Sequence, residues 1–196
     1  TGGMGSYAPS EFFTDALKNE VMETVMKPTV TAMAQEGKPY KGVLYAGLMM
    51  THKGPRVLEF NARFGDPETQ VILPLLKTDL VEIIEATING RLTRMKIEWS
   101  DEACVGVVLA SGGYPESYKT GFPIGGLNEV DGDSLVFHAG TATDDKGQTV
   151  TSGGRVLTVV AKGRSYDEAR GKAYRSASKI TFEGCHYRKD IAIIKS

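Results

Sequence analysis

The stretch that most limits how this chain can fold is VLEFNARFGDPE, residues 57–68. Val57, Leu58 and Phe60 favour a strand, and Gly54-Pro55 marks a turn just before it. Strand side chains alternate faces. Leu58, Phe60 and Ala62 therefore form an apolar face able to pack on a core. Glu59, Asn61 and, if the strand continues, Arg63 share the opposite face. Gly65-Asp66-Pro67-Glu68 then breaks the strand and predicts a helix start, with Asp66 as N-cap and Pro67 at the first helical position.

The polar face has a chemical meaning. A carboxylate beside an amide carbonyl is hard oxygen ligation, suited to Mg²⁺, which takes one or two protein oxygens and fills its shell with water and nucleotide phosphates. A neighbouring Arg pairs with phosphate oxygens and offsets the charge of a transferring phosphoryl group. A helix N-terminus nearby also favours anions. The same alternation equally fits a half-buried edge strand with solvated polar residues outside.

Composition excludes several classes. A length of 196 residues supports one large or two small domains. A net charge of −1 gives no electrostatic case for nucleic acid or an anionic membrane. No apolar run approaches the roughly 18 residues that span a bilayer. Cys104 and Cys185 lie far apart with no C-x-x-C, which argues against zinc or a disulfide framework and suits a reducing cytosol.

Along the chain, Gly2-Gly3-Met4-Gly5 reads as a loop whose backbone N–H groups can converge on an anion, or as a frayed terminus. Thr14 caps a helix carrying Leu17, Val21, Val25 and Met26, which Pro28 should kink or end before Gly37 stops it. Met22, Met26 and Met33 read as core fillers. Residues 41–50 and 56–63 predict an antiparallel hairpin with a loop over 51–55. Asp79 and Glu82 form a capping box for a helix whose inner face is Leu80, Ile83, Ile84, Thr87 and Ile88, ending at Asn89-Gly90.

From Ala103 the texture changes. Residues 103–111 are a near-continuous apolar strand, with further strands over 135–140 and 155–162. Ser165 and Glu168 open a helix running to about Lys179. Trp99 reads as a packing anchor between the two parts. Cys104 reads as an inert core thiol. His138 and the turn Ser152-Gly153-Gly154-Arg155 are secondary candidates for a site, or simply turn residues.

LEFNARFGDPETQ, residues 58–70, resembles the metal-binding signature of the phosphoribosylamine–glycine ligase family of ATP-grasp enzymes. TGGMGSY (1–7), LYAGLM (44–49), LASGGYP (109–115), FHAGT (137–141), GGRVL (153–157) and YRKDI (187–191) agree and fall in the family's order. The resemblance implies an α+β chain: the C-terminal portion of an ATP-grasp domain over 1–98, then a small α+β C-terminal domain over 99–196. It implies a cytoplasmic ligase of de novo purine synthesis that joins glycine to 5-phosphoribosylamine through a glycyl phosphate, releasing ADP and phosphate. By matching position, Glu59 and Asn61 would hold Mg²⁺ or Mn²⁺, and Arg63 would stabilise the transferring phosphoryl group. Gly2, Gly3, Met4, Gly5 and Asp66 would orient substrates. The ATP-holding N-terminal half would lie upstream, leaving this chain inactive by itself. The alternatives are another ATP-grasp carboxylate–amine ligase, or a non-catalytic module.

Overall fold

The computed structural model describes residues 3–194. In chain order the elements are β1 (Gly5–Ala8), α1 (Asp15–Val21), α2 (Lys27–Gln35), β2 (Tyr45–Thr51), β3 (Gly54–Asn61), α3 (Thr69–Ile72), α4 (Leu80–Ile88), β4 (Ala103–Ala110), β5 (Ser134–His138), β6 (Thr141–Thr143), β7 (Thr149–Thr151), β8 (Arg155–Gly163) and α5 (Tyr166–Ala177). The fold is α+β, as the sequence led one to expect. Contacts divide it into two compact units. Residues 3–9, Asp66–Leu75 and 100–194 make the first; Ser10–Gly65 and Leu76–Trp99 make the second.

The first unit is built on an antiparallel sheet of order β1-β4-β8-β5. All eight residues of β4 are buried, which explains its unbroken apolar run. Its odd positions Val105, Val107 and Leu109 join Leu157, Val159 and Ala161 of β8 beneath α5. That helix presents Ala169, Ala173 and Ala177, one small residue per turn, so its backbone lies close to the sheet. On the opposite face Cys104 and Val160 pack against Val71 and Leu75. Met4 covers Val108 and Ala110 there. α5 starts as predicted: Ser165 accepts from the Glu168 amide at 3.2 Å, and Glu168 accepts from the Arg164 amide at 2.9 Å.

A charge cluster ties the C-terminal turn of α5 to the loop before β5. Asp131 accepts from Lys179 Nζ at 2.6 Å, and Arg175 lies 3.9 Å away. The Lys179 ammonium holds the Asp131 carboxyl below the usual carboxylate range, against some desolvation. A carboxylate whose folded pKa is depressed contributes stability that is complete above its unfolded pKa, about 3.9, and lost as pH falls through the folded value. Asp131→Asn is therefore expected to lower the Tm at pH 7, and the gap from the parent should close in acid below about pH 3.9. Melting curves from pH 7 to pH 2 test this; a gap that persists or widens in acid would contradict it.

In the second unit, Thr14 caps α1 as expected, accepting from the Leu17 amide at 3.3 Å. Pro28 does not end the helix. A π turn over Met22–Met26 comes first, and Pro28 sits in the opening turn of α2, where its missing N–H costs least. Gly37, at φ +75°, then closes it, with the Lys38 amide donating to the Met33 carbonyl at 2.9 Å. Asp79 caps α4 by accepting from Val81 and Glu82 amides at 2.7 and 3.3 Å.

Several expectations about burial fail here. Met22 is an exposed side chain rather than a core filler. On α4 the buried residue is Ala86, while Ile84 and Ile88 of the expected inner face are exposed. Trp99 is 47 % exposed and forms an isolated bridge with Leu76 rather than acting as a buried anchor. The hairpin turn is tighter than predicted, with only His52 and Lys53 between the paired residues Thr51 and Gly54.

Candidate functional site

β3 pairs with β2 in a two-stranded ribbon. The register shifts at Gly47: this residue faces Glu59, but Leu48 faces Val57, so Leu58 is an extra, bulged residue. Beyond the bulge the alternation holds. Glu59 and Asn61 lie on one face, and Asn61 Nδ2 donates to Glu59 Oε1 at 2.9 Å. Gly47 leaves room for the carboxylate from the neighbouring strand: a Cβ there would lie 3.2 Å from Glu59 Cγ. The sequence reading missed this role of Gly47, although a glycine inside a strand pattern is a recognised sign of close approach.

The donor set fits a small divalent cation. The amide and carboxylate sit side by side, and turning the Asn61 amide over brings its oxygen to the nitrogen's place, beside Glu59 Oε1. The 2.9 Å spacing matches the roughly 3 Å between adjacent oxygens of an octahedral shell with bonds of about 2.1 Å. Glu59 is exposed, leaving its second oxygen open. Among the described residues no three His, Cys, Asp or Glu converge on a common point, so any ion here would complete its shell from elsewhere.

Two expectations for this strand are corrected. β3 ends at Asn61, and a bend follows, so Arg63 does not share the face by strand register. Its guanidinium turns back to donate to the Phe64 carbonyl at 2.8 Å. Leu58 and Phe60 do not pack on a core either; they are 65 % and 42 % exposed.

The remaining candidates belong to the first unit. Gly2 lies outside the described residues. Gly3 is left-handed at φ +70°. Met4 is buried in the core, and its carbonyl accepts from the Val108 amide at 3.2 Å. Gly5 is not loop but the start of β1, paired with Val107. Asp66 is not a helix cap: α3 begins only at Thr69, with Glu68 at its N-cap position. Its side chain instead accepts from Arg155 Nη2 at 2.8 Å and from Gln70 Nε2 at 3.1 Å. Arg155 Nη1 also donates to the Asp66 carbonyl at 3.0 Å and the Gly3 carbonyl at 3.4 Å. Gly3, Asp66 and Arg155 are thus brought together from three distant parts of the chain.

Other features carry less. His138 Nδ1 lies 3.0 Å from Thr141 Oγ1, a local turn contact. Burial pushes the Cys104 thiol up to about 12 and Cys185 up to about 11, which makes both poor nucleophiles near neutrality. An open cleft of about 430 Å³ lined by Tyr118, Lys119, Phe122 and Glu183 holds none of the candidate residues. Among the described residues, no helix is long and apolar enough to cross a membrane.

Residues 1–69 match the family described as phosphoribosylglycinamide synthetase, ATP-grasp (A) domain, which places the carboxylate–amide strand in an ATP-grasp protein. Residues 104–193 match the C domain of the same synthetase. The chain belongs to the phosphoribosylglycinamide synthetase family. It is 60% identical over 192 residues to a phosphoribosylamine–glycine ligase of Caldanaerobacter subterraneus subsp. tengcongensis, covering 98% of this chain and 46% of that one. It is 50% identical to the protein of that name from Escherichia coli O157:H7, covering 97% and 45%. The crystal structure of phosphoribosylamine–glycine ligase from Thermotoga maritima superposes with a TM-score of 0.85 at 40% identity, over 98% of this chain and 47% of that one. The chain thus spans just under half the length of these relatives.

Proposed function

We propose that this chain works within an ATP-dependent phosphoribosylamine–glycine ligase, joining glycine to 5-phosphoribosylamine through a glycyl phosphate with release of ADP and phosphate. The observation that carries this reading is the Glu59–Asn61 pair, an open carboxylate and an amide 2.9 Å apart on one strand face, in a chain 60% identical to a ligase of that name. In domain terms we read 1–98 as the C-terminal portion of the ATP-grasp domain and 99–196 as the C-terminal domain, in a cytoplasmic enzyme whose ATP-holding half lies upstream.

Glu59 and Asn61 would hold Mg²⁺ or Mn²⁺. Bound there, the ion neutralises nucleotide phosphate charge and acts as a Lewis acid. Arg63, exposed and on the bend just past these residues, supplies the fixed positive charge that phosphoryl transfer requires. The backbone of Gly2, Gly3, Met4 and Gly5, together with Asp66, orients the acid and amine substrates, the entropic part of catalysis. An amine attacking an acyl phosphate needs little base catalysis.

The test is ADP release by the protein that carries this chain. ADP is expected only when glycine, 5-phosphoribosylamine and a divalent cation are all present, with activity abolished by EDTA and restored by Mg²⁺ or Mn²⁺. ADP release with a different acid or amine, and none with this pair, would replace this reading with another ATP-grasp carboxylate–amine ligase.

A further inference from the structure

We propose that Arg155 is a positioning residue: one guanidinium, fixed at the start of β8, sets the mutual geometry of the Gly3–Gly5 segment and the Asp66 turn. The inference rests on the reading above, in which those two segments orient substrates.

The guanidinium reaches three acceptors on two chain segments. Nη1 donates to the Gly3 and Asp66 carbonyls, and Nη2 to the Asp66 carboxylate. Only a planar, branched cation serves acceptors that diverge in this way; an ammonium on a flexible stem would hold one of them well. Gly3 is shaped to this contact, since a Cβ on it would lie 2.9 Å from Arg155 Nη1.

The guanidinium is itself anchored. Arg155 sits opposite Ala110 on β4, and its carbonyl accepts from the Gly140 amide at 2.9 Å. The turn before it is held twice by Ser111, whose amide donates to the Gly154 carbonyl and whose hydroxyl donates to the Gly153 carbonyl, each at 2.8 Å. The Tyr114 ring closes over Gly154, where a Cβ would lie 2.4 Å from Cδ2. The cation therefore hangs from rigid strand, and the Gly3 and Asp66 carbonyls and the Asp66 carboxylate are held to it.

Both Asp66 oxygens are occupied, one by Arg155 and one by Gln70. The carboxylate is fixed in orientation and its charge is balanced. An unpaired Asp66 would repel a phosphate or carboxylate on the substrates it is proposed to orient. Pairing by Arg155 removes that repulsion while keeping the turn in place.

The test compares Arg155→Met and Arg155→Lys with the unaltered protein. In both variants the KM for glycine or for the amine is expected to rise about 10–100-fold with the KM for ATP unchanged, since displaced positioning groups cost factors of this order. Hydrogen exchange should speed up about tenfold at the amides of 3–5 and 64–66 and stay unchanged along β4 and β8, as expected when a local opening is released without global unfolding. Unaltered KM values, an ATP KM that rises in step with the others, a Lys variant equal to the parent, or unaltered exchange in these two segments would each overturn the inference. If the unaltered protein forms no ADP from glycine and 5-phosphoribosylamine, the functional reading fails, and the exchange result still decides for or against the positioning role.

Discussion

Glu59→Gln is expected to lower ligase turnover by about 100-fold or more, because losing even an outer partner of a metal ligand typically costs 10–100-fold. The substitution keeps the shape and removes the charge. It should act on metal binding, not on folding: Glu59 is exposed, and it accepts a hydrogen bond from Asn61, two residues away. Stability should therefore change by about 0.5 kcal/mol or less. Steady-state kinetics across a Mg²⁺ titration, with Mn²⁺ binding followed by electron paramagnetic resonance, tests both halves. Wild-type turnover and Mn²⁺ affinity in the variant would remove Glu59 from the site.

Leu157→Ala should have the largest effect on stability. Leu157 is fully buried on β8, between Leu109 of β4 and His138 of β5. It belongs to the cluster that includes Val159, Ala177, Ile180 and Phe182. These neighbours are held by strand pairing and by α5, so the hole cannot collapse cheaply. Truncations of this kind cost about 2–5 kcal/mol. Urea unfolding followed by far-ultraviolet circular dichroism measures it. A cost under about 1 kcal/mol, the scale of an ordinary surface change, would mean that the sheet does not pack against α5 in the manner described.

What could be read from the sequence was local or periodic. The caps Thr14, Asp79 and Ser165 each satisfy amides two or three residues away, so short windows find them. The strand β4 was legible because burial on both faces leaves no polar position in it. Short or distant pairings were not legible. β1 has four residues, and β6 and β7 have three each, too few for a periodic signal. Asp66 carried a cap's chemistry, but its acceptor capacity goes to Arg155, 89 residues away. Glu59 and Asn61 were found together because strand alternation alone links them. Arg63 was misplaced because nothing in the alternation announces that β3 stops at Asn61. Leu58 and Phe60 were misread because periodicity marks a face as apolar without saying what covers it.

The pairing of β1 with β4 sets a clock on synthesis. Gly5 pairs in register with Val107, and a Cβ on Gly5 would touch Ile191, so this short strand is seated among residues made far later. At translation rates of about 5–20 residues per second, β1 waits roughly 5–20 s for β4 to emerge, and longer for the C-terminal segment. The second unit's hairpin and helices can form during that wait, while the sheet of the first unit can close only once β4, β5 and β8 have emerged. A ribosome stalled before Ala103 would hold β1 without a strand to join.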